Sequence, residues 1–361
     1  MKVLVYGASG RLGQMVARLL RAQGYSLKLG GRSEEKLKAV SQLGDEITTA
    51  ALPQQVRGVS VVANCASMTS QESDELIAAA LTAGAHYADL TGEQAALRHI
   101  FETHHQEAQK AGVSLVPALG LDYAVGDLLA HLAADGRTCD QIVIAYAFEG
   151  EEAADNSVNH ATSAPRGREV VFREGRWSKV PFELDLGWFR YPQPLGRQQV
   201  GRYGSGEVIT VPRHIETGTI RTLITASSLV PHPALLPFFP LLRPLVALAL
   251  RTPLRHLIRQ VGRLIARLRP RAASSPGPRV VSDKGPSFLV VLEAEGRGFE
   301  KVRLVAGGRD CHQATARILA HGVSLLARGE NRGSGVLSPA QAFQPDTFLD
   351  QLGDSVSWWK E

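Results

Sequence analysis

The 361-residue sequence predicts an α/β chain of two domains, a parallel-sheet domain followed by a mixed α/β domain built on a largely antiparallel sheet. Up to Val116 short apolar runs alternate with amphipathic stretches, the rhythm of strand-helix-strand units with right-handed crossovers. From Asp140 the apolar runs lengthen, become β-branched and fall at hairpin-like spacing. A chain of this length also exceeds what one core ordinarily serves.

The elements follow in order. Val3–Tyr6 is an apolar strand, and Gly7-Ala8-Ser9-Gly10-Arg11-Leu12-Gly13 turns it into a helix whose apolar face is Leu12, Val16, Leu19 and Leu20, stopped at Gly24. Tyr25–Leu29 is a second strand and Val59–Ala63 a third. A helix over Glu72–Ala83 ends at Gly84, and His86–Leu90, Ala95–Ala111 and Val113–Val116 read as strand, helix and strand. A helix is expected over Val125–Leu132. Strands are then expected at Gln141–Phe148, Glu169–Phe172, Glu207–Val211, Thr219–Thr225, Ser287–Glu295 and Lys301–Ala306, with Gly296-Arg297-Gly298 closing the last two into a hairpin. Gln313–Ala327 is a final helix, and the tail carrying Trp358-Trp359 is expected to pack back on the first domain. The expected boundaries are 1–123, 124–310 and 311–361.

The glycine turn carries the most chemistry. Its first glycine permits the tight turn, the second lets backbone approach a pyrophosphate, and the third lets helix and strand pack closely. The helix start then offers N–H groups to phosphate charge. This is a Rossmann-type dinucleotide site, formed by Gly7, Ser9, Gly10, Arg11, Leu12 and Gly13. After the second strand the chain reads Gly30-Gly31-Arg32-Ser33, with no carboxylate to accept from a ribose hydroxyl. Arg32 and Ser33 suit a ribose phosphate instead, so the expected cofactor is NADP. Arg11 is placed against the same phosphate or the adenine.

In an open parallel sheet the ligand lies beyond the carboxyl ends of the strands. Asn64, Cys65, Asp89, Thr91, Gly120 and Asp122 all fall there. Asn64, Cys65 and Ala66 are assigned to the nicotinamide ribose. Tyr87, Asp122 and Tyr123 are candidates for proton donation or substrate orientation, because hydride transfer leaves a charge to be protonated or stabilised. Capping and packing are the competing roles: Asp89 and Asp122 as helix caps, the latter for the helix at Val125, and both tyrosines as core-edge aromatics. Cys65 has no histidine neighbour in sequence and reads as a small core residue. His104-His105 lie in a polar helix and read as a solvated face, and no metal site is expected. His160 stands in a polar segment that could supply substrate contacts.

These stretches, together with His86-Tyr87-Ala88-Asp89-Leu90-Thr91-Gly92-Glu93 and Pro117-Ala118-Leu119-Gly120-Leu121-Asp122-Tyr123-Ala124-Val125-Gly126-Asp127, resemble the saccharopine dehydrogenase-like oxidoreductases. The nearest branch is the one that includes the trans-acting enoyl reductases, whose C-terminal motif Gly335–Phe343 also resembles. The resemblance covers the first domain and the tail, and hardly touches the middle. It implies an NADP-binding Rossmann domain, a mixed second domain and hydride transfer in the cleft between them. Where that branch continues its Asn-Cys-Ala strand end with Gly-Pro and an aromatic, this chain has Ser67-Met68-Thr69, so the loop beside the nicotinamide is expected to differ in shape. A short-chain dehydrogenase mechanism is excluded, since none of the seven tyrosines has a lysine four residues later.

Composition adds the remaining bounds. Cys65, Cys139 and Cys311 lack paired or zinc-type spacing, which fits a reduced, cytoplasmic compartment. The first strand begins so early that no secretory leader is expected. Net charge is +5, yet Thr217–Ser282 holds ten arginines and no acid, which leaves the rest at −5. Within this insert Leu229–Leu250 is apolar but broken by Pro231, Pro233, Pro237, Pro240 and Pro244, too interrupted for a spanning helix. Leu254, Leu257, Ile258, Val261, Leu264, Ile265 and Leu268 then mark one helical face, with Arg251, Arg255, Arg259, Arg263 and Arg267 on another. Three roles stay open for 229–271: packing on the protein itself or in a homodimer, contact with an anionic membrane, or capture of a lipid-like substrate. The apolar face is aliphatic, which argues against nucleic acid.

The sequence therefore supports an NADP-dependent oxidoreductase acting on a small molecule. The leading reaction is hydride transfer to an activated C=C of a lipid-like or polyketide-like substrate. Reduction of an imine or carbonyl of an amino-acid-like substrate, and a non-catalytic NADP-binding module at a membrane or protein interface, are the alternatives.

Overall fold

Two sheets make up the fold. The computed structural model describes residues 1–148, 168–181, 186–229 and 287–361. In the first sheet run strands β1 (Lys2–Tyr6), β2 (Ser26–Gly30), β3 (Glu46–Thr48), β4 (Val61–Asn64), β5 (His86–Asp89) and β6 (Ser114–Val116). Helices α1 (Arg11–Ala22), α2 (Glu34–Lys38), α3 (Leu52–Gln55), α4 (Ser70–Thr82) and α5 (Gln94–Ala111) connect them. The strand order is β15-β6-β5-β4-β1-β2-β3 and every pairing is parallel; β15 (Gly335–Val336) arrives from the far end of the chain. β1 lies inside the sheet between β4 and β2, so Val3, Leu4 and Val5 are buried on both faces and read as an unbroken apolar run.

Helix α6 (Leu121–Ala134) leaves the carboxyl end of β6 and leads into the second sheet. That sheet holds β7 (Cys139–Phe148), β8 (Arg168–Arg173), β9 (Arg176–Pro181), β10 (Leu186–Arg190), β11 (Arg197–Arg202), β12 (Thr217–Thr225), β13 (Phe288–Gly296), β14 (Phe299–Gly308) and β16 (Ser357–Lys360). Its order is β10-β11-β12-β7-β13-β14-β16, with β8 against β12 and β9. The β7–β12 pair is parallel and the others antiparallel, so the sheet is mixed. Short helices α7 (Glu207–Thr210) and α8 (Ala226–Leu229) flank β12, and α9 (Cys311–Arg328), α10 (Pro339–Ala342) and α11 (Pro345–Asp350) follow β14. α6 lies between β13 and β14 on one side and α9, α10 and α11 on the other.

Three expectations are corrected. Glu207–Val211 is helical rather than a strand: Glu207, Val208, Ile209 and Thr210 are all buried, and a short run buried all round has no period to distinguish the two. α6 starts at Leu121 with Gly120 as its N-cap, so Asp122 sits inside the first turn and caps nothing at Val125. Trp358-Trp359 extends the second sheet beside β14, through Val305↔Trp359 and Ala306↔Trp358, instead of returning to the first domain. The insert 229–271 and His160 lie outside the described residues, Leu229 apart. Among the described residues no helix is long and apolar enough to cross a membrane.

Candidate active site

The glycine turn is built as its sequence demands. Gly7 adopts φ +78°, a left-handed conformation, and its missing Cβ would stand 2.8 Å from the Ala66 nitrogen. A Cβ at Gly13 would drive into Gly7 and come within 2.9 Å of the Ala8 Cα, so α1 seats directly on the turn. The N-cap Gly10 supplies no side-chain partner, which leaves the helix start to a ligand. Asn64 shapes the neighbouring loop: its Oδ1 accepts from the Ala66 N–H at 3.0 Å, and the Cys65 N–H donates to the Tyr6 carbonyl at 2.9 Å. The expected turn residues and Asn64, Cys65 and Ala66 are thus brought together. Burial pushes the Cys65 thiol up to about 12, which removes it as a nucleophile at neutral pH.

Arg32 and Ser33 stand at the end of β2. Ser33 caps α2, accepting from the Lys36 N–H at 3.4 Å, and its own proton is free to donate. Arg32 is largely exposed and borders a cleft of about 1010 Å³ lined also by Tyr6, Gly31, Leu52, Arg57 and Glu75. In this fold the end of β2 lies on the adenosine side of the turn, and Arg32, though paired with Glu72 on α4, replaces the strand-end carboxylate with a cation that fits a phosphorylated ribose. The residues present therefore fit NADP: the turn and helix start for the pyrophosphate, Arg32 and Ser33 for the ribose phosphate. Arg11 opens α1 beside the turn, its Nη1 3.4 Å from His312 Nε2 at the start of α9.

Tyr87 is fully buried with both sides of its hydroxyl engaged. It donates to Asp89 Oδ2 at 2.8 Å and accepts from Asn64 Nδ2 at 2.9 Å. The Asp89 carboxylate also accepts from the Thr91 N–H and hydroxyl, at 2.9 and 2.7 Å, and from the Ala118 N–H at 3.2 Å. Ala118 has φ +60°, costly for a residue with a Cβ, and Asp89 fastens that strained turn between β6 and α6. Burial pushes the Asp89 carboxyl above its ordinary range despite these donors.

Asp122 and Tyr123 meet a cluster that local sequence did not reveal. The Tyr203 hydroxyl bridges the Tyr123 hydroxyl and the Asp122 carboxyl. Burial pushes Asp122 up to about 6, against hydrogen bonds from its own N–H and Tyr203 and the attraction of His312. Tyr123 is clamped between domains: a Cβ at Gly92 would stand 2.6 Å from its hydroxyl, and one at Gly206 3.0 Å from its ring. Deeper in, the Tyr146 hydroxyl donates to Glu207 Oε1, and burial pushes this fully buried carboxyl up to about 8. Glu207 Oε2 has no partner among the described residues. The Tyr146 ring meets Tyr203 edge-on at 5.7 Å, so the two groups adjoin. Tyr203, Tyr146, Glu207 and His312 escaped the sequence reading; the one available signal was a lone carboxylate heading the apolar run Val208–Val211.

Comparison with known proteins bears on the first domain and on the fold. The profile of the saccharopine dehydrogenase NADP-binding domain matches residues 3–116. A Mycobacterium tuberculosis protein named trans-acting enoyl reductase is 26% identical over 197 residues, 47% of this chain and 47% of that protein. A Caenorhabditis elegans lipid droplet localized protein is 30% identical over 146 residues, 35% of this chain and 34% of that protein. The chain thus matches less than half the length of either relative. The structure of apo saccharopine dehydrogenase (L-Glu forming) from Saccharomyces cerevisiae aligns over 100% of this chain and 99% of that one, with TM-score 0.61 and 13% identity. Residues 3–116 match the saccharopine dehydrogenase NADP-binding domain, and the chain resembles saccharopine dehydrogenase in fold.

Proposed function

We propose that the chain is an NADP-dependent oxidoreductase that reduces an activated C=C of a lipid-like or polyketide-like substrate. One observation carries the reading. The acid–tyrosine cluster Asp122–Tyr203–Tyr123 stands where α6 leaves the carboxyl end of β6, and His312 ties it to Arg11 of the cofactor turn. The cofactor and the proton-handling groups thereby share one edge of one sheet. NADPH, the reduced cofactor, would supply the hydride when bound and leave as NADP; the chain's own residues do the rest. Arg32 and Ser33 select the phosphorylated ribose, and Asn64 holds the Ala66 loop against the glycine turn. Asp122, placed to exchange a proton near pH 6, feeds or drains the Tyr203–Tyr123 hydroxyl pair, which stabilises or protonates charge left on the substrate. Tyr87, saturated between Asn64 and Asp89, serves as a positioning residue under this reading, in place of the proton donation expected of it.

The mycobacterial enoyl reductase name supports the C=C chemistry, and the basic aliphatic insert at 229–271 supports a lipid-like chain held near an anionic surface. NADPH oxidation by the full chain, with enoyl thioesters in one series and imines or ketones in another, tests the proposal. Turnover confined to the enoyl series is expected. Turnover only with imines or ketones would move the reaction class, and NADPH binding without any turnover would leave a non-catalytic module.

A further inference from the structure

Asp74, His99 and His104 bring three ligand atoms within 4.8 Å of one another on the face where α4 meets α5. His99 Nε2 lies 2.9 Å from Asp74 Oδ2, and His104 Nε2 lies 2.9 Å from Asp74 Oδ1. The rings stand nearly perpendicular, 85° apart with centroids at 6.2 Å. His104 is 5% exposed, so the solvated face expected for His104-His105 is not what forms; His105 instead meets the Val336 backbone. Burial pushes the Asp74 carboxyl up, but the two imidazoles outweigh it and hold the carboxyl below its ordinary range.

We propose that Asp74, His99 and His104 form a binding site for a zinc-type divalent cation, separate from the cofactor turn. Two imidazole nitrogens and one carboxylate oxygen are the donor set of open zinc sites, which keep a fourth position for water. That position is available here, because His99 and Asp74 reach the surface, with side chains 44% and 33% exposed. Tetrahedral zinc holds such atoms roughly 3.3 Å apart. With Asp74 Oδ1 as the ligand, its 2.9 Å distance to His104 Nε2 needs to open only slightly, and His99, which now meets the other oxygen Oδ2, closes on the ion by rotation of its exposed ring, all three ligand atoms already lying within 4.8 Å. Thr103 Oγ1 lies 3.3 Å from His99 Nδ1, placed to accept the proton that this nitrogen carries when Nε2 is a ligand. His104 Nδ1 is buried with no partner among the described residues, so its proton under ligation goes unaccepted. The site therefore lacks one of the outer hydrogen bonds that tighten structural zinc sites. Two imidazoles also exclude magnesium and calcium, which take oxygen ligands. A bound ion would bolt α4 to α5 two residues from Glu72, the carboxylate that pairs with Arg32.

Calorimetric titration of the untagged, chelator-treated full chain with zinc chloride, and separately with magnesium chloride, tests this. Micromolar one-to-one zinc binding, a raised melting temperature and no magnesium response are expected. His99→Gln, at an exposed position, and Asp74→Asn should each weaken zinc at least about ten-fold with the fold intact by circular dichroism. Zinc binding of equal strength in both variants, or none in the unaltered protein at submillimolar zinc, would overturn the proposal.

Discussion

Arg32 Nη1 lies 3.2 Å from Glu72 Oε1, so the cation meant for a ribose phosphate is already held by a carboxylate. Glu72 is also the third residue of a capping box on α4, its Oε2 accepting from the Thr69 N–H at 2.8 Å. Those bonds and the nearby Arg32 charge hold its carboxyl below the ordinary range, so it is ionised wherever NADP would bind. It aims Arg32 across the cleft, and it also repels the incoming phosphate. Glu72→Gln keeps an acceptor for the cap while removing the charge, and should tighten NADPH several-fold with NADH unchanged, read by fluorescence titration. Arg32→Ala should weaken NADPH by about 1.5 kcal/mol, roughly ten-fold, the low end for a charge-assisted bond because the side chain is exposed. Equal affinity for both cofactors in the unaltered protein would refute the assignment.

The bridge from Tyr123 through Tyr203 to Asp122 predicts a kinetic signature. Tyr123→Phe and Tyr203→Phe should lower kcat without altering NADPH affinity, since neither residue belongs to the cofactor turn. Asp122→Asn should erase an ionisation near pH 6 from the kcat profile, in which an apparent pKa belongs to the coupled cluster rather than to one residue. A profile unchanged by Asp122→Asn would remove the acid from the mechanism.

The first domain was legible because its information is local. A strand, a Gly-rich turn and an amphipathic helix occupy consecutive residues, and each βα unit repeats the pattern. The NADP preference was legible for the same reason, in one tetrapeptide at the end of β2. The rest required tertiary contact. β9, β10 and β11 were not foreseen, since Arg176, Trp177, Trp188 and Arg197 interrupt their apolar alternation. Tyr146 and Glu207 lie far apart in sequence and meet only because β7 and β12 pair in parallel beside α7. The tail strand was misplaced because nothing in Trp358-Trp359 tells which sheet edge is open.

The arginine and aliphatic stripes of the insert predict a surface preference. The full chain should co-sediment with vesicles containing anionic lipid and ignore neutral ones, each arginine contributing at most about 1 kcal/mol, with attraction fading as salt rises. Replacing Arg255, Arg259 and Arg263 together with Gln should release the protein in folded form. Equal partition to both vesicle types would return the insert to a role within the protein or between copies of it.

Glu207 predicts the sign of a pH effect on stability. Its carboxyl is raised from 4.5 to about 8 by burial, so the folded state keeps a proton that the unfolded chain loses between those values. Wherever the native state binds more protons, stability falls as pH rises. The contribution is fully present below about pH 4.5 and gone above about pH 8, and a difference of this size corresponds to something on the order of 5 kcal/mol. Glu207→Gln keeps the shape and an acceptor for the Tyr146 hydroxyl but has no proton to lose. Urea denaturation near pH 5 and near pH 9 should therefore show the variant gaining on the unaltered protein as pH rises. Asp89 and Glu169, also raised by burial, are common to both proteins and cancel in that difference. Parallel stability curves would mean that Glu207 is ionised in the native state, and its unpartnered Oε2 would then need a cation or water that the described residues do not provide.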